Sequence, residues 1–314
     1  MTTNFADRLL DAIDEKQNPS IIGLDSDLAL LPQEVRDEAS GKTGDPMALA
    51  AHAMLIFNKA IIRSIKDIVP AVKIQSAFYE QFGPDGVRAF KETADFAKKE
   101  GLLVVGDVKR NDIGNTSRAY SNAYIGAVKG IGTQQPGFDL DCITVNPYLG
   151  SDGINPFIED VRAFGKGIFI LVKTSNASSS ELQDLDAGGA KVYERVAALV
   201  DKWGSYIIGK RGYSSVGAVV GATFPEQAAH LRTLMPRSIF LVPGFGAQGG
   251  YANDIVHCFS RDGYGAIIHS ARDVIFAYQK AGKSADFAEA ARDAAAKMRD
   301  GIGEALKQKG LWPW

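Results

Sequence analysis

Eight short apolar runs, rich in β-branched residues, recur along the chain at residues 21–24, 71–74, 102–105, 142–145, 167–172, 218–221, 239–242 and 266–268. Between most of them the apolar residues return with the helical period, over residues 47–68, 84–99, 116–128, 190–203 and 225–234. Runs that are apolar throughout, rather than alternating, are the pattern of strands buried on both faces beneath covering helices. Eight of them, with no Gly-x-Gly-x-x-Gly turn after the first, predict a closed (β/α)8 TIM barrel rather than an open doubly wound sheet. A helix over residues 5–15 is expected before the first strand, and a long amphipathic helix over residues 285–309 after the last. No repeat or linker divides the chain, so residues 1–314 are read as one barrel domain, a size single barrels reach.

Charge and composition remove several classes of function. The net charge of -2 comes from 35 basic and 37 acidic residues spread along the chain. That leaves no basic stripe to follow a nucleic-acid backbone. Residues 1–7 lack the basic start of a secretory leader, and no apolar run approaches the roughly 20 residues that span a bilayer, so a cytoplasmic protein is expected. Cys142 and Cys258 lie far apart, form no Cys-x-x-Cys, and are read as two buried thiols without a disulfide. The histidines His52, His230, His257 and His269 show no metal-ligand spacing, so no structural zinc is expected. The first three fall in helical patterns. His269 stands at a strand end, where it is either an ordinary packed histidine or part of a site.

The run Gly106-Asp107-Val108-Lys109-Arg110-Asn111-Asp112-Ile113 follows the third apolar segment directly. Side chains alternate across a strand, so Asp107 and Lys109 share a face, while Asp112 lies where the chain leaves the strand. Carboxylates on both sides favour the ammonium form of Lys109, which makes it a proton donor rather than the neutral amine of Schiff-base chemistry. Alone, the run fits a solvated turn equally well.

In a barrel, however, the C-terminal strand ends form one site. Asp25 follows strand one and Lys73 lies on strand two, completing an alternating set of ammoniums and carboxylates with Asp107, Lys109 and Asp112. Lys173-Thr174-Ser175-Asn176 after strand five offers hydroxyl and amide groups suited to a polar ring edge. The glycine-rich run over residues 243–250 and Arg272 after strand eight occupy the usual phosphate position of barrels. Two polar stretches, residues 132–141 and 175–189, are long for barrel connections, and the second lies on the functional side.

Asp-x-Lys-x-x-Asp-Ile with Thr116 four residues beyond Asp112, joined to Lys73, to Pro-Gly-Phe-Gly-Ala-Gln-Gly-Gly and to a later arginine, resembles the orotidine 5'-phosphate decarboxylase family in its longer bacterial subgroup (type 2). The resemblance covers nearly the whole chain. It implies decarboxylation of orotidine 5'-monophosphate to uridine 5'-monophosphate (UMP), the last step of de novo pyrimidine synthesis, with no metal or organic cofactor. It further implies that Lys109 protonates C6 beside Asp107, and that Asp25 and Lys73 bind the ribose. Ser175 and Asn176 would face the pyrimidine, while Gln248 and Arg272 would hold the phosphate under a closing loop. Asp112 and Thr116 would reach into a neighbouring subunit's site, making the enzyme a homodimer.

Two rivals share this barrel. A related sugar-phosphate decarboxylase or aldolase-like lyase would hold magnesium partly through an acidic residue on strand two, where Lys73 instead would repel the cation. A noncatalytic phosphate-ligand sensor would need the phosphate grip but not a lysine held between carboxylates. The terminal Trp312-Pro313-Trp314 either packs on the barrel or meets a partner.

Overall fold

A computed structural model describes residues 3–40, 44–130, 132–244, 252–282 and 286–314. Eight parallel strands close a barrel in chain order: β1 (Ser20–Gly23), β2 (Ala71–Gln75), β3 (Leu103–Arg110), β4 (Cys142–Val145), β5 (Gly167–Lys173), β6 (Ser214–Val220), β7 (Ser238–Val242) and β8 (Ala266–Ser270), which pairs back onto β1. Each of the eight apolar runs is one of these strands. Strand residues facing outward, such as Val72, Val104 and Ile268, join the surrounding helices in one apolar layer. Residues facing inward, such as Ile21, Val105 and Phe169, form a second cluster inside the barrel.

The N-terminal end of that inner cluster is plugged by helix Phe5–Lys16. Asn4 caps it by accepting the Ala6 amide at 2.8 Å, and Asp7 accepts the backbone amides of Lys210 and Arg211 at 2.9 and 2.8 Å. Phe5 meets Phe169 edge-on, with centroids 6.2 Å apart, across Gly167. A Cβ on Gly167 would stand 2.2 Å from the Phe5 ring, so the plug requires glycine there. Trp314 donates its indole N–H to Asp14 at 2.9 Å and Trp312 packs over Gly303, so the terminal tryptophans pack on this same end of the barrel. The cavity ringed by the C-terminal strand ends lies at the opposite mouth.

β3 continues past its apolar run through Asp107 and Lys109 to Arg110, because Asp107 is buried against ammoniums that offset its desolvation. Three features depart from the sequence reading. Helix Ser151–Phe164 lies between β4 and β5, where Pro156 inside it and the left-handed Gly150 before it obscure the helical period. Helix Gly114–Tyr124 stops four residues earlier than residue 128, and Val128–Lys129 pairs instead with Gln134–Gln135 in a small antiparallel ribbon. Helix Pro46–Ile65 is long and apolar enough to cross a bilayer by length and composition, contrary to the expectation that no run approached this. It is a core helix: Met54, Phe57 and Ile61 are buried, and Phe57 stacks on Phe276 and Phe287. The last helix is described from Phe287 to Gln308; residue 285 lies outside the described residues.

Candidate active site

Strand register sets the site. Gly23 pairs with Lys73 and Gln75 with Asp107, which brings the ends of β1, β2 and β3 level at the C-terminal mouth. Asp107 is the hub. Its Oδ2 accepts from Lys73 Nζ at 2.8 Å and Gln75 Nε2 at 2.9 Å, and its Oδ1 accepts from Lys109 Nζ at 2.6 Å and Thr144 Oγ1 at 2.9 Å. Lys73 also reaches Asp25 Oδ1 at 3.3 Å. The order along the mouth is therefore carboxylate, ammonium, carboxylate, ammonium.

Burial alone would raise the Asp107 carboxyl, but the charges of Lys73 and Lys109 and their hydrogen bonds override it and hold the group well below the usual carboxylate range. Burial would likewise favour neutral Lys73, yet Asp107 and Asp25 raise it above its ordinary value. Both groups stay charged because each is the other's counterion.

The network borders a cavity of about 300 Å³, at the lower end of the range for small-molecule sites. Leu171, Val219 and Leu241 give it an apolar part; Thr174, Ser175 and Asn176 bring polar groups from the end of β5. Pro243 and Gly244 after β7 and Arg272 after β8 complete the side away from the lysines. The Arg272 side chain borders the cavity and makes no hydrogen bond or ion pair among the described residues, which leaves its donors unspent. Gln248 and the rest of the glycine-rich run, residues 245–250, lie outside the described residues.

Of the residues singled out from sequence, Asp25, Lys73, Asp107, Lys109, Ser175, Asn176 and Arg272 line one cavity. Asp112 and Thr116 do not line it; Thr116 is exposed and Asp112 partly so on the chain leaving β3. Among the described residues no cluster of three or more His, Cys, Asp or Glu side chains is placed to hold a metal ion.

Three contributors escaped the sequence reading or were undervalued by it. Gln75 and Thr144 each spend a donor on Asp107, and their one visible signal was a polar residue at the end of, or inside, an apolar run. Lys173 does not face the cavity. It is fully buried, donating to Asp184 at 2.8 Å and Ser179 at 3.2 Å, and so anchors the loop that carries Ser175 and Asn176.

His269 does line the cavity, pressed against Gly23, where a Cβ would stand 2.4 Å from its Nε2. Burial first, and then the Lys73 ammonium, push its imidazole down to about 3, against the opposing pull of Asp25 and Asp107. The folded protein thus holds this ring neutral while the unfolded chain binds a proton below about 6.5. Stability must fall as pH drops through that window, by about 2 kcal/mol between pH 7 and 5 for this one group. Denaturant unfolding at the two pH values should show that loss in the native protein and a flatter dependence in His269→Gln; equal slopes would mean the ring takes up its proton while folded.

A barrel plugged at one end, with charged acid–base groups and an unspent arginine around the cavity at the other, defines an α/β-barrel enzyme that acts on a small anionic molecule. The chain belongs to the orotidine 5'-phosphate decarboxylase / HUMPS family, whose sequence model matches residues 53–287. It is 40% identical over 303 residues to the orotidine 5'-phosphate decarboxylase of Caldicellulosiruptor bescii, covering 96% of this chain and 99% of that protein. It is 42% identical over 301 residues to that of Rhodopirellula baltica, covering 94% and 98%. Among solved structures it is similar to Leishmania donovani OMP decarboxylase, with 29% identity, a TM-score of 0.71, and coverage of 96% of this chain and 98% of that one.

Proposed function

We propose that the protein decarboxylates orotidine 5'-monophosphate to UMP and carbon dioxide, the last step of de novo pyrimidine synthesis, with Lys109 as proton donor. The observation that carries this reading is the Lys109 ammonium, 2.6 Å from a buried, ionised Asp107 and facing the cavity. In the reaction the bond from C6 to the carboxylate breaks and its electron pair stays on C6. Carbon dioxide leaves, and a proton from Lys109 forms the new C–H bond. Lys109 Nζ then regains a proton from solvent, to which its side chain is 46% exposed. The carbanion is far too basic for a side chain to await it, so the fixed ammonium must act by stabilising charge as it develops. Asp107 stands beside the departing carboxylate and fixes the lysine.

The remaining roles follow position. Asp25 and Lys73 bind the ribose hydroxyls, Ser175 and Asn176 face the pyrimidine edge, and Arg272 with Gln248 grips the phosphate. Lys73 Nζ stands between Asp25 and Asp107, where a bridging cation would otherwise sit, which supports chemistry without metal or organic cofactor over the magnesium-dependent alternative. Asp112 and Thr116 complete the site of a second copy in a homodimer; their position outside this chain's own cavity, beside Ile113 at 54% exposure, supports that assignment. The buried, unpaired thiols of Cys142 and Cys258 are in keeping with a reducing, cytoplasmic setting.

The direct test is the ultraviolet absorbance change on adding orotidine 5'-monophosphate to purified protein in excess EDTA, with UMP identified as product. Turnover is expected. Its absence from folded protein would overturn the proposal, and turnover only after magnesium is restored would move the chain to its metal-dependent relatives.

A further inference from the structure

Lys109 occupies a backbone conformation that its sequence does not favour: its φ is 45°, one of three left-handed non-glycine residues among those described. The cause is a bulge in β3. Gly106 pairs with Ile143 and Arg110 with Val145, so four steps along β3 oppose two along β4. A bulge leaves backbone donors without ladder partners, and the Lys109 amide is one of them.

Thr144 faces this gap from β4. Its Oγ1 accepts the Lys109 N–H at 2.9 Å and donates to Asp107 Oδ1 at 2.9 Å, the same oxygen that takes Lys109 Nζ at 2.6 Å. The three residues close a circuit: lysine amide to threonine hydroxyl, hydroxyl to carboxylate, carboxylate to the ammonium of the same lysine. One hydroxyl therefore fixes both the backbone of Lys109 and the oxygen that aims its side chain. Thr144 borders the cavity yet is only 1% exposed, and its hydroxyl both donates and accepts within the circuit.

We propose that Thr144 is a positioning residue for the reaction: it acts through Lys109 and Asp107, holding the ammonium at the angle from which it meets the reacting carbon. This rests on the decarboxylase reading above. The far side of the bulge is secured without Thr144. Arg110 donates to the Val108 carbonyl at 2.8 Å and to the Tyr124 hydroxyl at 3.0 Å, pairs with Glu80, and accepts the Asn146 amide at 3.0 Å through its own carbonyl. Loss of the hydroxyl should loosen the lysine while leaving the strand in place.

The test is T144V, which keeps the shape and removes the hydroxyl, set beside T144S, which keeps the hydroxyl. With orotidine 5'-monophosphate as substrate, T144V should lose kcat by about 10- to 100-fold with KM within about 3-fold of the native enzyme, the scale of a misplaced catalytic group. T144S should return kcat to within about 3-fold. A crystal structure of T144V should show Lys109 Nζ beyond hydrogen-bond reach of Asp107 Oδ1. Native kcat in T144V, a change confined to KM, or a T144S as impaired as T144V would each overturn the proposal. Should T144V fail to fold, T144A removes the same hydroxyl without a branched replacement and is read against T144S in the same way. If the native enzyme itself does not turn over this substrate, the reaction reading fails. The distance in the crystal still decides whether Thr144 holds Lys109.

Discussion

Replacing Lys109 with alanine should lower kcat by at least about 10⁴-fold while leaving the fold and the affinity for UMP nearly unchanged. The size of the loss follows from the two functions that vanish together, proton donation and stabilisation of charge on carbon, each a large contribution in its own right. The fold should survive because Asp107 keeps Lys73, Gln75 and Thr144 as partners at 2.8 to 2.9 Å and remains ionised. Lys109 itself is half-exposed, so little packing is lost. Absorbance-based kinetics, a thermal melt and calorimetric titration with UMP would separate these effects. Retained turnover would remove Lys109 from the mechanism, and loss of UMP affinity together with turnover would make it a binding residue instead.

The same position sets function against stability. A left-handed φ costs an ordinary residue on the order of 1 kcal/mol and glycine nothing. Lys109→Gly should therefore be as inactive as the alanine variant and melt higher than it. On the proposed mechanism, the left-handed backbone at Lys109 is strain kept for the sake of its side chain.

How far the sequence carried these conclusions depends on the range of the forces involved. The barrel was legible because strands covered on both faces must be apolar throughout, a property that each run displays without reference to its neighbours. Most of the site was legible because barrel topology gathers strand ends, so Asp25, Lys73, Asp107, Lys109 and Arg272 could be read as one constellation before any distance was known. The burial of Asp107 was not legible. Charged residues ordinarily mark solvent, and what buries Asp107 is an ammonium 34 residues earlier and a hydroxyl 37 residues later. Gln75 and Thr144 were missed for the same reason: their importance lies in which oxygen they reach. His269 was left open between packing and site until its ring stood against Gly23, and Pro156 concealed a helix whose remaining residues have the proper period.

Asp112 and Thr116 belong to the same sequence motif as Lys109 yet do not line the cavity of their own chain, and this separation leads to the second large effect. Lys109→Ala and Asp112→Ala proteins should each be inactive alone, but mixing them under conditions of subunit exchange should restore about one quarter of native activity. In a two-fold symmetric dimer each site would take Lys109 from one copy and Asp112 from the other. A hybrid then holds one site in which both residues are intact and one in which both are missing. With equal, random exchange about half of the dimers are hybrids, each half active, which gives the quarter. Exchange must be shown independently, for example by energy transfer between differently labelled copies. Exchange without recovered activity would place Asp112 in the site of its own chain, brought there by a movement of the segment after β3. High activity in Asp112→Ala alone would remove it from the site altogether. Recovery near one quarter would instead explain why a motif residue does not line its own chain's cavity: the segment that leaves β3 serves the lysine of the neighbouring copy, and a lone chain would be folded but incomplete.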